Sequence, residues 1–255
     1  MGIVALVRAS LAAAVGCAVV SMSGPAEAAQ IGQPWGFAAF SHDAAEPFGL
    51  ARAELGVGAL KDKWLALTGK LADEHVQLAL CDGDRERCAS PAALRLLAIV
   101  DQGRLRQGRA RLGEINRAVN LAIRPVSDLV QYGQMDVWSS PLVTFDRGAG
   151  DCEDYAIAKL LALRLAGIAA DDLRIVILHD VSRNEDHAIL AARLEGRWLM
   201  LDNQRMAMIE DADARQVHPL VVMGENDISN DQSAPSVADA TNRSLAALGT
   251  VAAAE

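Results

Sequence analysis

The hydrophobic period of this chain changes once, near residue 170, and that change limits the folds open to it. Before it, apolar residues recur about every 3.6 positions; after it they form short alternating or continuous runs. Helices followed by strands predict an α+β fold, with helices packed on an antiparallel sheet. From Lys61, Trp64, Leu65, Leu67, Leu71 and Val76 to Leu80 predict a first helix. A second runs from Pro91, which suits a first turn, to about Gln102. A third spans Arg104 to Ile123, with Leu112, Ile115, Val119 and Leu121 inward, and stops at Pro125. Cys152 to Leu165 is a strong helix whose face carries Ile157, Leu160, Leu161 and Leu165, and Gly167 ends it. The strands are Leu173 to Leu178, His187 to Leu194 and Trp198 to Leu201, with Glu195-Gly196 as the turn between the last two. Between helices and strands, Arg124 to Gly150 is turn-rich and predicted irregular; loops of that length in a compact domain are usually functional.

At 255 residues, 51% hydrophobic and 22% charged, the chain can bury one core with loose ends. A net charge of -9 and the lack of any Lys/Arg block exclude nucleic acid as the partner. Arg8, the apolar run from Ser10 to Val20 and the Ala26-Glu-Ala28 motif read as a secretory signal over residues 1–28. A lipoprotein reading at Cys17 is a minor alternative, since the run before it lacks the usual Leu. No later stretch reaches about 18 uninterrupted apolar residues, so no transmembrane span is predicted. The expected organisation is a domain over 29–227, periplasmic or secreted, and a mobile Ser/Ala/Asn/Asp-rich tail over 228–255. Residues 31–60, with Trp35, Phe37 and Phe40, read as an irregular or partly strand-like entry segment.

Export leaves Cys81, Cys88 and Cys152 as the thiols. In an oxidising compartment the close pair Cys81 and Cys88, around a polar loop, is the natural disulfide, and Cys152 is the odd thiol. Two unlinked thiols or half of a metal site are the other readings of the pair, and no second Cys/His pair has matching spacing.

A cysteine attacks as thiolate, so its pKa must fall from about 8.5 toward neutrality. Cys152 follows Gly150-Asp151 in the first turn of its helix, where unpaired N–H groups and the macrodipole favour negative charge and form an oxyanion hole. Asp151, Glu153 and Asp154 oppose this, since acids beside a thiol raise its pKa. Either a cation neutralises them, for which calcium suits oxygen ligands, or the first turn is simply acidic. Of five histidines, His42, His75 and His218 read as surface or packing residues. His187 opens a strand and Asp202 ends the returning one, so hairpin pairing brings them nearly opposite. That arrangement lets an aspartate fix an imidazole tautomer. His179, beside Asp180 and with no equivalent partner across a turn, is the reserve. Taken singly, each of these residues suits a structural role in a binding protein.

Gly150-Asp-Cys-Glu-Asp-Tyr155, His187-Ala-Ile-Leu and Leu201-Asp202-Asn203 resemble the bacterial transglutaminase-like cysteine proteinases, among them the LapG-type periplasmic adhesin proteases. The resemblance runs upstream through Asn116-Arg-Ala-Val-Asn120, Tyr132-Gly133, Asp136-Val-Trp138 and Pro141, over roughly residues 80 to 210. It implies a papain/transglutaminase-like α+β fold and a triad of Cys152, His187 and Asp202. It also implies calcium at Asp151 and Glu153, a surface adhesin as substrate, and sequestration by an inner-membrane receptor. Beyond Met206 and over residues 30–75 the pattern is not matched.

The expected function is therefore an exported cysteine protease acting on an envelope or surface protein. The alternatives are transglutaminase-type acyl transfer, a non-catalytic periplasmic binding module on the same fold, and, more remotely, a redox protein cycling Cys81 and Cys88.

Overall fold

The computed structural model describes residues 45–52 and 58–225. The expected leader and tail, Cys17, the aromatic residues 35, 37 and 40, and His42 lie outside them. Among the described residues, no helix is long and apolar enough to cross a membrane.

The helical half comprises α1 (Ala59–Gly83), α2 (Pro91–Arg104), α3 (Gly108–Ala122), α4 (Asp128–Tyr132), α5 (Pro141–Arg147) and α6 (Cys152–Leu165). On α1 the buried apolar residues are Trp64, Leu67, Leu71, Leu78 and Cys81. Leu65, Val76 and Leu80, which the sequence places in the same apolar pattern, are exposed because they lie off that stripe. Cys81, in the last turns of α1, is bonded to Cys88 before α2, with a Cα–Cα distance of 4.8 Å. Ser90 caps α2 by accepting the Ala93 N–H, and Pro91 sits in the first turn. The third predicted helix begins later than expected, at Gly108, whose positive φ of 51° follows the break after α2. Leu112, Ile115 and Val119 are buried on α3, whereas Leu121 is exposed, not inward; two residues beyond Val119 is the opposite side of a helix.

The segment from 124 to 150 is more regular than its composition predicts. It holds α4, α5 and a two-residue parallel pairing of β1 (Arg124–Pro125) with β2 (Ala149–Gly150). That pairing closes the segment into a loop whose two ends meet at the start of α6.

The sheet comprises β3 (Leu173–Asp180), β4 (Glu185–Leu194), β5 (Arg197–Leu201), β6 (Ile209–Glu210) and β7 (Val217–Met223), in the spatial order β6-β5-β4-β3-β7 and antiparallel throughout. Glu195 and Gly196 both have positive φ, as the tight β4–β5 turn requires. The two terminal strands were not expected from the sequence. β6 has two residues, and β7 carries Pro219 beside a register shift, which an edge strand tolerates.

Alternation along the strands divides two cores. Leu173, Ile175, Leu190, Ala192, Leu199 and Leu201 face the helices, chiefly α6 and then α3. Val176, Leu178, Ile189, Ala191, Trp198 and Met200 face the other way and are covered by Phe48. Phe48 lies in a short turn, Pro47–Gly49, rather than in a strand-like segment. Its N–H donates to Asp211 at 2.7 Å, while Glu46 accepts two bonds from the buried Arg174 at 2.6 and 3.0 Å. The expected α+β architecture is present, and α6 lies against the central strand β4 with its N-terminus at the Asp202 end of the sheet.

Candidate active site

Cys152 is the first residue of α6, after β2 and Asp151. The close approach at this entry requires Gly150: a Cβ there would stand 2.7 Å from Asp154 Cβ and 2.8 Å from its Oδ2. Asp154, fully buried, accepts the Ser139 N–H at 2.9 Å. Burial first, then the charges of Asp151 and Asp128 against that bond, pushes its carboxyl up to about 7.

His187 and Asp202 are both buried and meet at 2.8 Å, Nε2 to Oδ1. Extending the Leu190–Leu201 register by one pair puts Asp202 across from Ile189, two residues from His187 on β4. Asp202 Oδ1 also accepts the Gln204 N–H at 2.9 Å. Burial works to raise this carboxyl, but the His187 hydrogen bond and charge, the Gln204 N–H and the Lys159 ammonium hold it below the usual carboxylate range. An ionised carboxylate only accepts, so His187 donates from Nε2 and its Nδ1 is left as the basic nitrogen.

The Cys152 thiol, among the described residues the free one, adjoins the backbone N–H of Ala188, the residue after His187. Helix position alone predicts an acidified thiol, and the structure corrects this. Burial, then the Glu153 charge, pushes the thiol strongly up, with Ala188 N–H opposing in part. The thiol donates to Glu153 Oε2 at 3.1 Å.

The acidic residues around the thiol are three-fold, but not the three that sequence adjacency suggests. Asp151 and Glu153 are joined by Asp128 of α4, with one carboxylate oxygen from each lying within 4.8 Å of the others. Asp154 turns away to Ser139. Asp128 is buried, and its Oδ2 accepts the Val137 N–H while its own N–H donates to Asp151 Oδ2 at 3.3 Å. Asp128 Oδ1 and Asp151 Oδ1 are buried and receive no donor among the described residues. Glu153 is pushed up to about 8 by burial and then by Asp151; Asp128 is raised by burial and by the same neighbour. Two orphaned oxygens within three converging carboxylates fit a hard divalent cation, which takes oxygen ligands. The sequence signal for Asp128 was confined to its place in a long loop; only β1–β2 pairing brings it here.

The reserve histidine, His179, does have a partner: its Nδ1 lies 2.9 Å from Asp186 Oδ1 on the neighbouring strand, in a partly exposed pair. Lys159 was not expected at the site. One helical stretch beyond Cys152, it is fully buried, donates to the Leu201 carbonyl at 3.1 Å and is pushed down to about 7 by burial, with Asp202 opposing.

The chain matches the family model described as bacterial transglutaminase-like cysteine proteinase over residues 74–216, more than half of its length. Among solved structures it is similar to Legionella pneumophila LapG (calcium-bound), at 24% identity, TM-score 0.47, over 52% of this chain and 74% of that one. It is likewise similar to Legionella pneumophila LapG (EGTA-treated), at 22% identity, TM-score 0.48, over 58% of this chain and 80% of that one. No curated protein gives a significant match.

Proposed function

The chain belongs to the bacterial transglutaminase-like cysteine proteinases and is a cysteine peptidase, and from that premise we propose that Cys152 is its nucleophile, His187 its base and Asp202 the orienter. The observation that carries the proposal is the buried His187–Asp202 pair at 2.8 Å, one residue from the Ala188 N–H that adjoins the Cys152 thiol. Asp202 keeps the imidazole proton on Nε2, so Nδ1 takes the proton of Cys152. The thiolate attacks the amide carbonyl carbon, and backbone N–H groups at the start of α6 and at Ala188 stabilise the oxyanion. The C–N bond then breaks, the imidazolium gives its proton to the leaving amine, and a thioester remains. Water, deprotonated by His187, hydrolyses the thioester and restores the thiol.

Asp128, Asp151 and Glu153 would hold a calcium ion. When bound, calcium would supply positive charge that offsets the acidic turn beside the thiol. The substrate class is a protein of the envelope or cell surface, an adhesin in particular, met in the periplasm or outside the cell. Control by an inner-membrane receptor belongs to the same reading. It rests on the leader-like first 28 residues and the resemblance of the Cys152, His187 and Asp202 motifs.

One observation favours a second reading, a non-catalytic binding module: the thiol is hydrogen-bonded to the Glu153 carboxyl at 3.1 Å. Envelope protein termini compared between cells carrying the wild type and Cys152→Ala separate the two. New termini that depend on Cys152 support the protease. Identical termini, with purified protein failing to cleave the same extract in calcium, leave the binding module. Acyl transfer to an amine would appear as a mass adduct on product termini when amine is added.

A further inference from the structure

Two asparagines one helical turn apart on α3, Asn116 and Asn120, are buried, and both amides point at the chain leaving β5. Asn120 Nδ2 donates to the main-chain carbonyl of Asp202 at 2.8 Å and to that of Arg205 at 3.3 Å. Asn116 Nδ2 donates to the carbonyls of Arg205 and Met206 at 3.4 and 3.3 Å. Helical spacing of four explains why both side chains reach one segment.

Asp202 stands where the sheet stops helping. The β4–β5 ladder ends at Leu201, and β6 pairs only with Leu199 and Met200. The Leu201 carbonyl receives Lys159, and the Asp202 carbonyl receives Asn120. The His187 imidazole and the Gln204 backbone N–H fix the far end of the residue by donating to its carboxylate. Asp202 is thus held by its carboxylate at one end and its carbonyl at the other, and Asn120 is the carbonyl's donor. Without it a buried carbonyl loses its partner, and the segment must turn to find another. A turn of the Asp202 backbone moves the carboxylate off His187 Nε2.

We propose that Asn120 is a positioning residue: by holding the Asp202 carbonyl it aims the carboxylate at His187 Nε2 and so keeps the imidazole in the tautomer that presents Nδ1 to Cys152. This rests on the catalytic reading of Cys152, His187 and Asp202 given above. Asn116 braces the loop beyond but does not touch Asp202.

The test is ¹⁵N NMR of the His187 imidazole, with His187→Ala to assign it, in wild type, Asn120→Ala and Asn116→Ala, together with thermal unfolding and the rate of Cys152 alkylation at pH 7 in calcium. Read in chelator, with the thiol protonated and the imidazole neutral, wild type should show the Nε2–H tautomer alone. Asn120→Ala should populate the Nδ1–H form, move the Nε2 proton upfield and slow alkylation about three- to tenfold, the factor for one lost hydrogen bond. Asn116→Ala should lower Tm comparably and keep the wild-type tautomer. If Asn120→Ala does not fold, Asn120→Ser carries the same test, and the same direction of change is expected. Reactive Cys152 with an unchanged tautomer in the Asn120 variant overturns the positioning role alone. An inert Cys152 in wild type, unaffected by His187→Ala, overturns the catalytic reading, and the positioning role with it.

Discussion

Gly150→Ala tests whether the entry to α6 is built around a missing side chain. Its φ is not in the left-handed region, so backbone strain does not oppose alanine there. What opposes it is contact: a Cβ would lie 2.7 and 2.8 Å from Asp154 Cβ and Oδ2 and 3.2 Å from Thr144 Cγ2. Asp154 and Thr144 are both fully buried, so neither can swing into solvent. Overpacking of this kind costs about 1–3 kcal/mol. Displacing Asp154 also strains its bond from Ser139 N–H, about 1 kcal/mol more. The reduced freedom of the unfolded chain returns about 0.4–1 kcal/mol. A net loss of about 1–3.5 kcal/mol lowers Tm by roughly 2–14 °C for a domain of this size. Gly69→Ala is the control, because a Cβ there, inside α1, meets nothing within 4 Å. It should stabilise by about 0.5–1 kcal/mol. Circular dichroism melting of the two variants reads both signs. A Gly150→Ala protein that melts with or above wild type refutes the steric account of this glycine.

The carboxylate cluster predicts a calcium-dependent rise in stability, about 2.7 kcal/mol at a hundredfold excess over Kd, lost in Asp128→Asn; calorimetric melting in calcium and in chelator checks it, and an equal rise in the variant would remove Asp128 from the site. Lys159 gives a pH prediction. Its folded pKa, about 7, lies below the unfolded value, so between about pH 7 and 10.5 the unfolded chain binds more protons and stability rises with pH, by up to about 1.4 kcal/mol per unit from this group. Urea unfolding from pH 7 to 9 should show a flatter dependence in Lys159→Met, and parallel slopes would contradict the buried ammonium. Replacing both Cys81 and Cys88 by Ser opens a bridge spanning a sequence separation of 7 and should cost about 2–3 kcal/mol, read as a shift in urea midpoint; no shift would mean the bridge does not form.

The parts of this fold legible in the sequence are those fixed by local chemistry. The bounds of α6 follow from Gly150-Asp151 before it and Gly167 after it, and the β4–β5 hairpin from Glu195-Gly196 between two apolar runs. The close approach of His187 and Asp202 follows from that hairpin, because pairing register converts sequence distance into spatial distance. Asp128, by contrast, owes its place to a two-residue parallel ladder, too short to leave a periodic signal. Lys159 reads as an ordinary charged position within a helix and is in fact buried against the end of β5. Leu121 shows the opposite error: an apolar residue near the right spacing that faces outward. Phe48 covers the far face of the sheet from a segment with no repeating pattern, and β7 hides its strand character behind Pro219. Of the two opposed effects that the sequence sets on the thiol, the acidic one prevails, since burial and Glu153 outweigh a helix terminus.

The central claim is that Cys152 becomes a nucleophile through His187, and the rate of its alkylation by iodoacetamide as a function of pH tests it most directly. The comparison needs wild type and His187→Ala, each in calcium and in chelator. The account predicts a wild-type rate in calcium that stays high below neutral pH, falls in chelator, where the Glu153 charge beside the thiol is not offset, and is lost in His187→Ala. A rate that climbs as an ordinary thiol ionises, the same in all four conditions, would contradict it.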